Sequence, residues 1–183
     1  MRAAEHWTWQ YDTTSERLSL HLSDEFVHNI PFKASKLVAM VSGEFAFDCE
    51  DAHYYHELID YLEARDAIAP VEQLAIALNA TAWTRFGRPQ MPQSWHFQQS
   101  ERPLPNTQRI CELNSGFTAG QFLIVQRDTE FASCMLLDEQ MSVSDIKSLK
   151  QYDVVKVLLN RLQPSALDPV IDVGQFASQK YSA

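Results

Sequence analysis

The stretch Gly87-Arg-Pro-Gln-Met-Pro-Gln-Ser-Trp-His-Phe97 divides the sequence into two patterns. Gly87 is a residue that commonly ends a helix, and Pro89 and Pro92 cannot continue one. Trp95 and Phe97 then open a new alternating segment. We therefore expect residues 1–92 to form an N-terminal domain and residues 93–183 a C-terminal domain, with this stretch, the joint, between them.

Before the joint, residues 7–11 and 18–22 alternate between apolar and polar side chains. This alternation predicts a β-hairpin with one buried face and a short third strand over residues 26–32. Residues 33–40 fit either a helix or a strand. The alternating apolar residues of the hairpin are Trp7, Trp9, Tyr11, Leu18, Leu20 and Leu22.

Two helices follow this predicted sheet. Residues 51–65 place apolar side chains on one helical face, and Asp51 or Asp48 is suited to cap the start. Pro70 suits the first position of a second helix that ends near Phe86. The apolar stripe predicted for the second helix is Val71, Leu74, Ala75, Leu78 and Ala82.

After the joint, short apolar runs predict a β-rich part. We expect strands over residues 94–98, 109–113, 120–126, 130–137 and 141–143, with a turn at Arg127-Asp128-Thr129. One late helix is predicted near residues 150–162, and an edge strand near residues 170–173. The fold class is therefore α+β: a small antiparallel sheet with two or more helices, then a β-rich part with one late helix.

Charge and composition exclude several classes of protein. The chain has 15 Lys and Arg against 24 Asp and Glu, a net charge of -9, which disfavours nucleic acid as a partner. We see no signal peptide and no apolar run long enough to cross a membrane. The three cysteines are widely spaced and fit a reducing cytoplasm rather than a disulfide framework.

The strongest candidate for an active site lies on the first predicted helix. Cys49, His53, His56 and Asp60 are spaced to lie on one side of it, as ligands of a metal-assisted hydrolase could be. The same residues are what a solvated face looks like, and no His-Glu-x-x-His motif is present. We therefore predict no metal, no cofactor and no catalytic residue.

Cations near the joint and near the end of the chain offer a binding chemistry instead. Arg88 lies at the joint, and Lys156 and Arg161 flank one face of the predicted late helix. Two interpretations remain open. They are ordinary solubilising charges, or they surround an interface whose centre is aromatic and apolar.

Three motifs in order along the chain carry a family resemblance. Trp-Thr-Trp-Gln-Tyr-Asp at residues 7–12, Pro-Gln-Met-Pro-Gln-Ser-Trp-His-Phe at residues 89–97 and Asn-Arg-Leu-Gln-Pro at residues 160–164 resemble the ZapC family of cell division proteins. The resemblance implies a non-enzymatic protein of the bacterial cytoplasm that binds FtsZ polymers at the midcell ring. It also implies lateral bundling of these polymers and lowered GTP turnover.

The resemblance further implies an N-terminal α/β part and a twisted, barrel-like C-terminal part, each with a pocket. Functional positions of the family map onto Leu20, Arg88 and Arg161, and Lys156 falls at a basic position. Gln93 departs from the pattern, because the family can carry Lys there. The candidate partner-binding residues are Leu20, Leu22, Arg88, Trp95, Lys156 and Arg161.

Bundling requires more than one contact per protein or self-association. A monomer with two contact surfaces would suffice. A generic cytosolic adaptor for another protein is the second alternative beside the hydrolase. The adaptor would show no co-sedimentation with FtsZ polymers, and the hydrolase would show bound metal and lose activity on His53→Ala.

Overall fold

Two antiparallel sheets enclose a pair of helices in the computed structural model, which describes residues 2, 3 and 6–168. The α+β fold class predicted from the sequence is confirmed. The first sheet and both helices come from the chain before the joint, and the second sheet comes from the chain after it. In the described part of the chain, neither helix is long and apolar enough to span a membrane.

The first sheet has four strands in the order β3-β2-β1-β4. The predicted hairpin is confirmed as β1 (Thr8–Asp12) and β2 (Arg17–His21), with Trp9 paired to Leu20. The third predicted strand is shorter than expected, at β3 (Val27–Asn29). β4 (Gly43–Ala46) was not predicted, because none of its four residues is buried and it shows no apolar alternation.

The first helix, α1 (Cys49–Glu63), is capped by Asp48, one of the two caps that the sequence offers, and the cap is reciprocal. Asp48 Oδ1 accepts hydrogen bonds from the backbone N–H groups of Glu50 and Asp51, both at 3.0 Å. In return, Asp51 Oδ2 accepts the backbone N–H of Asp48 at 3.2 Å. Such an arrangement satisfies donors that a helix start leaves free, and it fixes where α1 begins.

The second helix, α2 (Pro70–Phe86), is confirmed, but its predicted stripe is partly wrong. Val71 is 75% exposed, whereas Ile76, Ala80 and Trp83 are buried. The helix is apolar nearly all round because it contacts the first sheet and also packs against the second sheet. Amphipathic spacing is therefore a poor guide to its buried face.

The second sheet has five antiparallel strands in the order β10-β7-β6-β5-β11. A separate two-stranded sheet pairs β8 with β9. The five-stranded sheet is open, with β10 and β11 at its edges, so the expected barrel-like shape is not a closed barrel. The strands are β5 (Ile110–Asn114), β6 (Ala119–Arg127), β7 (Phe131–Leu136), β8 (Gln140–Ser142), β9 (Ser148–Lys150), β10 (Val154–Leu158) and β11 (Gln163–Pro164).

The late helix predicted near residues 150–162 is wrong. This segment forms strand β10 and a single 3₁₀ turn at Leu159–Arg161. The second sheet is buried on both faces, so Val154 and Val155 are both buried although they point to opposite sides. Burial on both faces removes the alternation that identifies a half-exposed strand, and the remaining spacing imitates a helix.

The strand predicted over residues 94–98 is also wrong. Ser94–His96 form a 3₁₀ turn, in which the backbone N–H of Phe97 donates to the carbonyl oxygen of Ser94 at 3.1 Å. The turn leaves Trp95 exposed and buries Ser94, the reverse of what alternation predicts. Residues 33–40, left open by the sequence, contain one 3₁₀ turn at Ala34–Lys36. The edge strand predicted near residues 170–173 lies outside the described residues.

Two apolar cores lie on opposite faces of the second sheet. The first core contains the inner face of the first sheet, both helices and the near face of the second sheet, while the second core covers the far face. The helices are therefore a layer common to both sheets. The division into domains at residue 92 stays a prediction. The second sheet contributes Ile110, Leu123, Val125, Met135 and Val154 to the first core.

Candidate partner-binding surface

The first half of the joint is held where α2 ends. The backbone N–H of Gly87 donates to the carbonyl oxygen of Trp83 at 2.7 Å. A Cβ atom at Gly87 would lie 2.5 Å from that oxygen, so the close approach requires glycine. The backbone N–H of Arg88 then donates to the carbonyl oxygen of Lys36 at 2.8 Å. This bond fixes the joint beside the turn at Ala34–Lys36.

The second half of the joint covers the outer edge of β10. The backbone N–H of Gln93 donates to the carbonyl oxygen of Lys156 at 2.7 Å. The backbone N–H of Leu158 donates to Ser94 Oγ at 2.8 Å. These bonds occupy the edge of β10, and they hold the Ser94 hydroxyl in a structural contact.

A cavity of about 390 Å³ opens at the joint. Its rim presents Met91, which is 81% exposed, and Trp95, which is 72% exposed. Large apolar side chains this exposed are typical of sites that become buried in a complex. The cavity is lined by Ser35, Lys36, Arg88, Pro89, Gln90, Met91, Gln93 and Trp95.

Two cations from distant parts of the chain bond to residues of the joint. Lys147 Nζ donates to Gln93 Oε1 at 2.6 Å, and Arg161 Nε donates to the carbonyl oxygen of Ser94 at 3.2 Å. An apolar centre with cations around it is suited to a protein surface that is acidic and partly apolar. We call this set the joint surface: Lys36, Arg88, Met91, Gln93, Trp95, Lys147 and Arg161.

Gln93 contributes an acceptor at this surface rather than a charge. Its Oε1 accepts the hydrogen bond from Lys147, whereas a lysine ammonium has no acceptor to offer. A lysine at position 93 would also bring two like charges together. Gln93 therefore adds no charge of its own and fixes the position of the Lys147 ammonium group.

The surroundings of His96 disfavour its protonation. Partial burial, together with the nearby Lys147 ammonium, lowers the pKa of His96 below its ordinary value of 6.5. Its ring lies 5.5 Å from the ring of Trp95, measured between centroids. The positive charge of the joint surface at pH 7 therefore comes from lysine and arginine.

The structure brings together three of the six candidate residues. Arg88 and Trp95 line the same cavity, and Arg161 bonds to the residue beside Trp95. The side chain of Lys156 points elsewhere: its Nζ lies 4.9 Å from the ring centroid of Phe131, in a separate cavity of about 350 Å³.

The two remaining candidates lie in β2 of the first sheet and directly after it. Leu20 has no exposed surface, and Leu22 is half-buried against the same core. Neither lines the cavity at the joint. A direct role in partner binding stays a prediction for both, and for Leu20 it would require the core to open.

Three residues of the joint surface were missed by the sequence. Lys36 and Lys147 reach it from other parts of the chain, and β9, which follows Lys147, was not predicted at all. Met91 lies inside the joint, and its position between two prolines was the one available signal that its side chain would be exposed.

The candidate metal ligands on α1 make other contacts. His56 Nε2 accepts the backbone N–H of Ala3 at 3.0 Å, and His53 lies 3.5 Å from the carboxylate of Glu57. Cys49 is exposed at the first position of the helix. Among residues 2, 3 and 6–168, no group of three or more His, Cys, Asp or Glu side chains is placed to hold a metal ion.

Comparison with known families gives matches over most of the chain. Residues 1–88 match the model of the N-terminal part of cell division protein ZapC, and residues 89–168 match the model of its C-terminal part. The boundary between the two models falls between Arg88 and Pro89, inside the joint.

Individual relatives give the same family name. A protein named cell division protein ZapC from Idiomarina loihiensis is 51% identical over 170 residues, which are 92% of this chain and 92% of the relative. Proteins of the same name from Aeromonas hydrophila and Ferrimonas balearica are 30% and 31% identical, over 87% and 86% of this chain. These alignments cover 90% and 89% of the two relatives.

Proposed function

Because this chain belongs to the ZapC family of cell division proteins, we propose that it binds polymers of FtsZ at the division ring through the joint surface. The observation that carries the proposal is the exposed pair Met91 and Trp95, with Arg88 at the same cavity and Arg161 bonded beside Trp95. Aromatic and arginine side chains dominate the binding energy of typical protein interfaces.

The charge of the chain supports an apolar contact rather than a purely ionic one. The protein carries a net charge of -9, and we expect FtsZ filaments to be acidic as well. Long-range repulsion between two acidic bodies opposes association, so desolvated apolar contact at Met91 and Trp95 must provide most of the affinity. The surrounding cations then tune the association rate and the orientation.

Bundling of FtsZ polymers requires a second contact in addition to the joint surface. A second cavity of about 530 Å³ lies on the first sheet and shares Ser35 with the cavity at the joint. Leu18 and Phe32 are among its lining residues, with Arg17 and Lys33 beside them. We assign the second contact to this cavity, and with it lateral bundling and reduced GTP turnover by FtsZ.

This function involves no chemistry by the chain itself. The protein acts in the cytoplasm, at the midcell ring, as a binding protein for polymers that other components assemble. Its effect on GTP turnover follows from preferential binding to the polymer, because a protein that binds one state shifts the equilibrium toward that state.

Co-sedimentation with FtsZ polymers tests the proposal. FtsZ is assembled with GTP and pelleted with and without this protein, and a parallel sample with GDP provides no polymer. We expect the protein in the pellet only with GTP, together with increased light scattering and slower phosphate release. Absence from the GTP pellet would contradict the proposed function and favour a different cytosolic partner.

A further inference from the structure

Two apolar side chains project from neighbouring turns beside the joint surface. Ile146, in the turn between β8 and β9, is 98% exposed, and Phe117, in the turn between β5 and β6, is 56% exposed. With Met91 and Trp95 they make four of the nine large apolar side chains that are exposed in the described residues. Nearly half of these exposed apolar side chains therefore lie on the joint and on the two turns bonded to it.

Hydrogen bonds tie the two turns to each other. Ser115 Oγ donates to the carbonyl oxygen of Ser142 at 2.7 Å, and Thr118 Oγ1 donates to the same oxygen at 3.0 Å. Ser115 and Thr118 flank the segment that carries Phe117. The turn between β5 and β6 is thus fixed on the β8–β9 hairpin.

Both turns are also tied to the segment that carries Trp95. Lys147, next to Ile146, donates to Gln93 Oε1 at 2.6 Å. On the other side, the backbone N–H of Gln98 donates to the carbonyl oxygen of Asn114 at 2.8 Å. The three apolar side chains therefore stand on one preorganised frame, which lowers the conformational entropy that binding would cost.

Phe117 and Ile146, the tip residues of the two turns, are not needed to form those turns. Gly116 has a φ of +84° and makes the reversal between β5 and β6. The turn between β8 and β9 is closed by backbone bonds between Ser144 and Lys147. Turn positions of this kind normally carry polar residues. Phe117 and Ile146 therefore expose apolar surface that the fold does not require.

The charge around the tips favours an acidic partner. Residues 93–98, 115–118 and 142–147 contain a single acidic residue, Asp145, in a chain of net charge -9. Lys147 lies between Ile146 and Gln93, and Arg161 bonds to Ser94 on the same frame. This region is therefore a less acidic part of an acidic protein.

We propose that the partner-binding surface extends from Trp95 onto these two turns, where Phe117 and Ile146 insert into an apolar recess on an acidic partner surface. Under the proposed function, on which this inference rests, that surface belongs to the FtsZ polymer. Lys147 and Arg161 pair with carboxylates at the edge of the recess, while the apolar tips provide contact area that the cavity at the joint lacks.

The test compares two matched double variants of the full chain in co-sedimentation titrations with GTP-assembled FtsZ. Phe117→Ser with Ile146→Ser removes the tips. Val41→Ser with Val71→Ser removes two valines that are each 75% exposed elsewhere. We expect each tip to contribute about tenfold to affinity, so the first double variant binds far more weakly and the second binds like the wild type. Circular dichroism melts confirm that both variants are folded.

The outcomes separate this inference from the proposed function. If the wild type pellets and the tip variant pellets equally well, the inference is wrong and the proposed function stands. If the wild type does not pellet with FtsZ, both are wrong. Sedimentation velocity of the protein alone provides a further outcome: self-association that the tip variant abolishes would make a second copy the occupant and overturn the assignment to FtsZ.

Discussion

The side-chain carbonyl oxygen of Gln93 accepts a hydrogen bond from Lys147 Nζ at 2.6 Å. The two residues are far apart in the chain, and this bond attaches the joint to the tip of the β8–β9 hairpin. It holds an ammonium group close enough to His96 to lower the pKa of that imidazole. The electrostatics of the surface therefore depend on an uncharged residue.

Replacing Gln93 with lysine tests this dependence. The Gln93→Lys variant loses the acceptor and gains a charge, so the two ammonium groups repel each other and more cationic surface faces the solvent. We expect binding to FtsZ polymers to become more sensitive to salt than it is in the wild type. Co-sedimentation at about 0.05 M and about 0.3 M salt measures the difference, since screening strengthens over this range.

A Gln93→Ala variant separates the two effects, because it removes the acceptor without adding a charge. Its salt dependence should change less than that of Gln93→Lys, because it keeps the number of cations of the wild type. If Gln93→Lys also shows wild-type salt dependence, position 93 does not face the bound partner.

Arg161→Glu should weaken co-sedimentation with FtsZ polymers while leaving the fold intact. Arg161 is only partly exposed, and its Nε donates to the carbonyl oxygen of Ser94, the residue before Trp95. A carboxylate at position 161 would reverse the charge beside the apolar centre. We expect a loss of about tenfold in affinity or more, because like charges at an interface oppose binding. Pelleting titrations measure the affinity, and a circular dichroism melt checks the fold.

Lys150→Glu is the matched control for that charge reversal. Lys150 is an exposed lysine at the opposite end of the β8–β9 hairpin from Lys147, paired with Gln140. The control changes the net charge by the same amount. Equal weakening by both variants would assign the effect to total charge and remove Arg161 from the interface.

The pKa of His96 should rise when Lys147 is replaced by methionine. Burial is the larger cause of its lowered pKa and Lys147 the smaller, so the value should move toward 6.5 without passing it. Histidine resonances followed by NMR over a pH titration give the value, and a His96→Gln variant identifies the resonance. An unchanged titration would mean that Lys147 does not stay near His96 in solution.

The same lowered pKa predicts how His96 affects stability with pH. Because the folded protein holds this proton less tightly than the unfolded chain, protonation favours unfolding. The free energy of unfolding should therefore fall as the pH drops below 6.5, and the fall should be smaller in His96→Gln. Urea unfolding at a series of pH values measures it; an equal pH dependence in both proteins would contradict the assignment.

A buried ion pair near the end of the described chain should be important for stability. Asp168, whose side chain is 6% exposed, pairs with Arg65 Nη2 at 2.9 Å and also accepts the hydroxyl of Tyr61. Asp168→Asn leaves the Arg65 charge largely buried without its partner, which should cost about 3 kcal/mol in the free energy of unfolding. Urea unfolding measures the loss.

Glu57→Gln is the control for this ion pair. Glu57 pairs with Arg109 at 3.2 Å, but 47% of its side chain is exposed to solvent. Breaking a pair that exposed should change the free energy of unfolding by about 0.5 kcal/mol or less. Similar losses in the two variants would show that the Asp168 pair is no more important than a surface pair.

The sequence predicts well those helices and strands that have one face exposed to solvent. The β1–β2 hairpin and α1 each show a clear period, and the cap at Asp48 is visible as a residue type. β10 and α2 lack such a face, because both are packed on two sides. Periodicity therefore misassigned β10 as a helix and placed Val71 of α2 in the core.

The residues of the joint surface also divide into those that the sequence could identify and those that it could not. Arg88 and Trp95 were found because they lie on one continuous stretch of chain. Lys147 could not be found, because its position depends on the pairing of β8 with β9 and on one side-chain bond to Gln93. Trp95 itself was assigned to a strand, and only the 3₁₀ turn explains why its side chain is exposed.

The common helical layer makes the two halves of this chain depend on each other. A gene split at the joint would produce one fragment whose helices lack a partner on one side, and another whose sheet exposes Leu123, Val125 and Met135. Each fragment would be prone to aggregate, because contiguous apolar faces of that size do not persist in water. Each half therefore needs the other to cover its share of the first core.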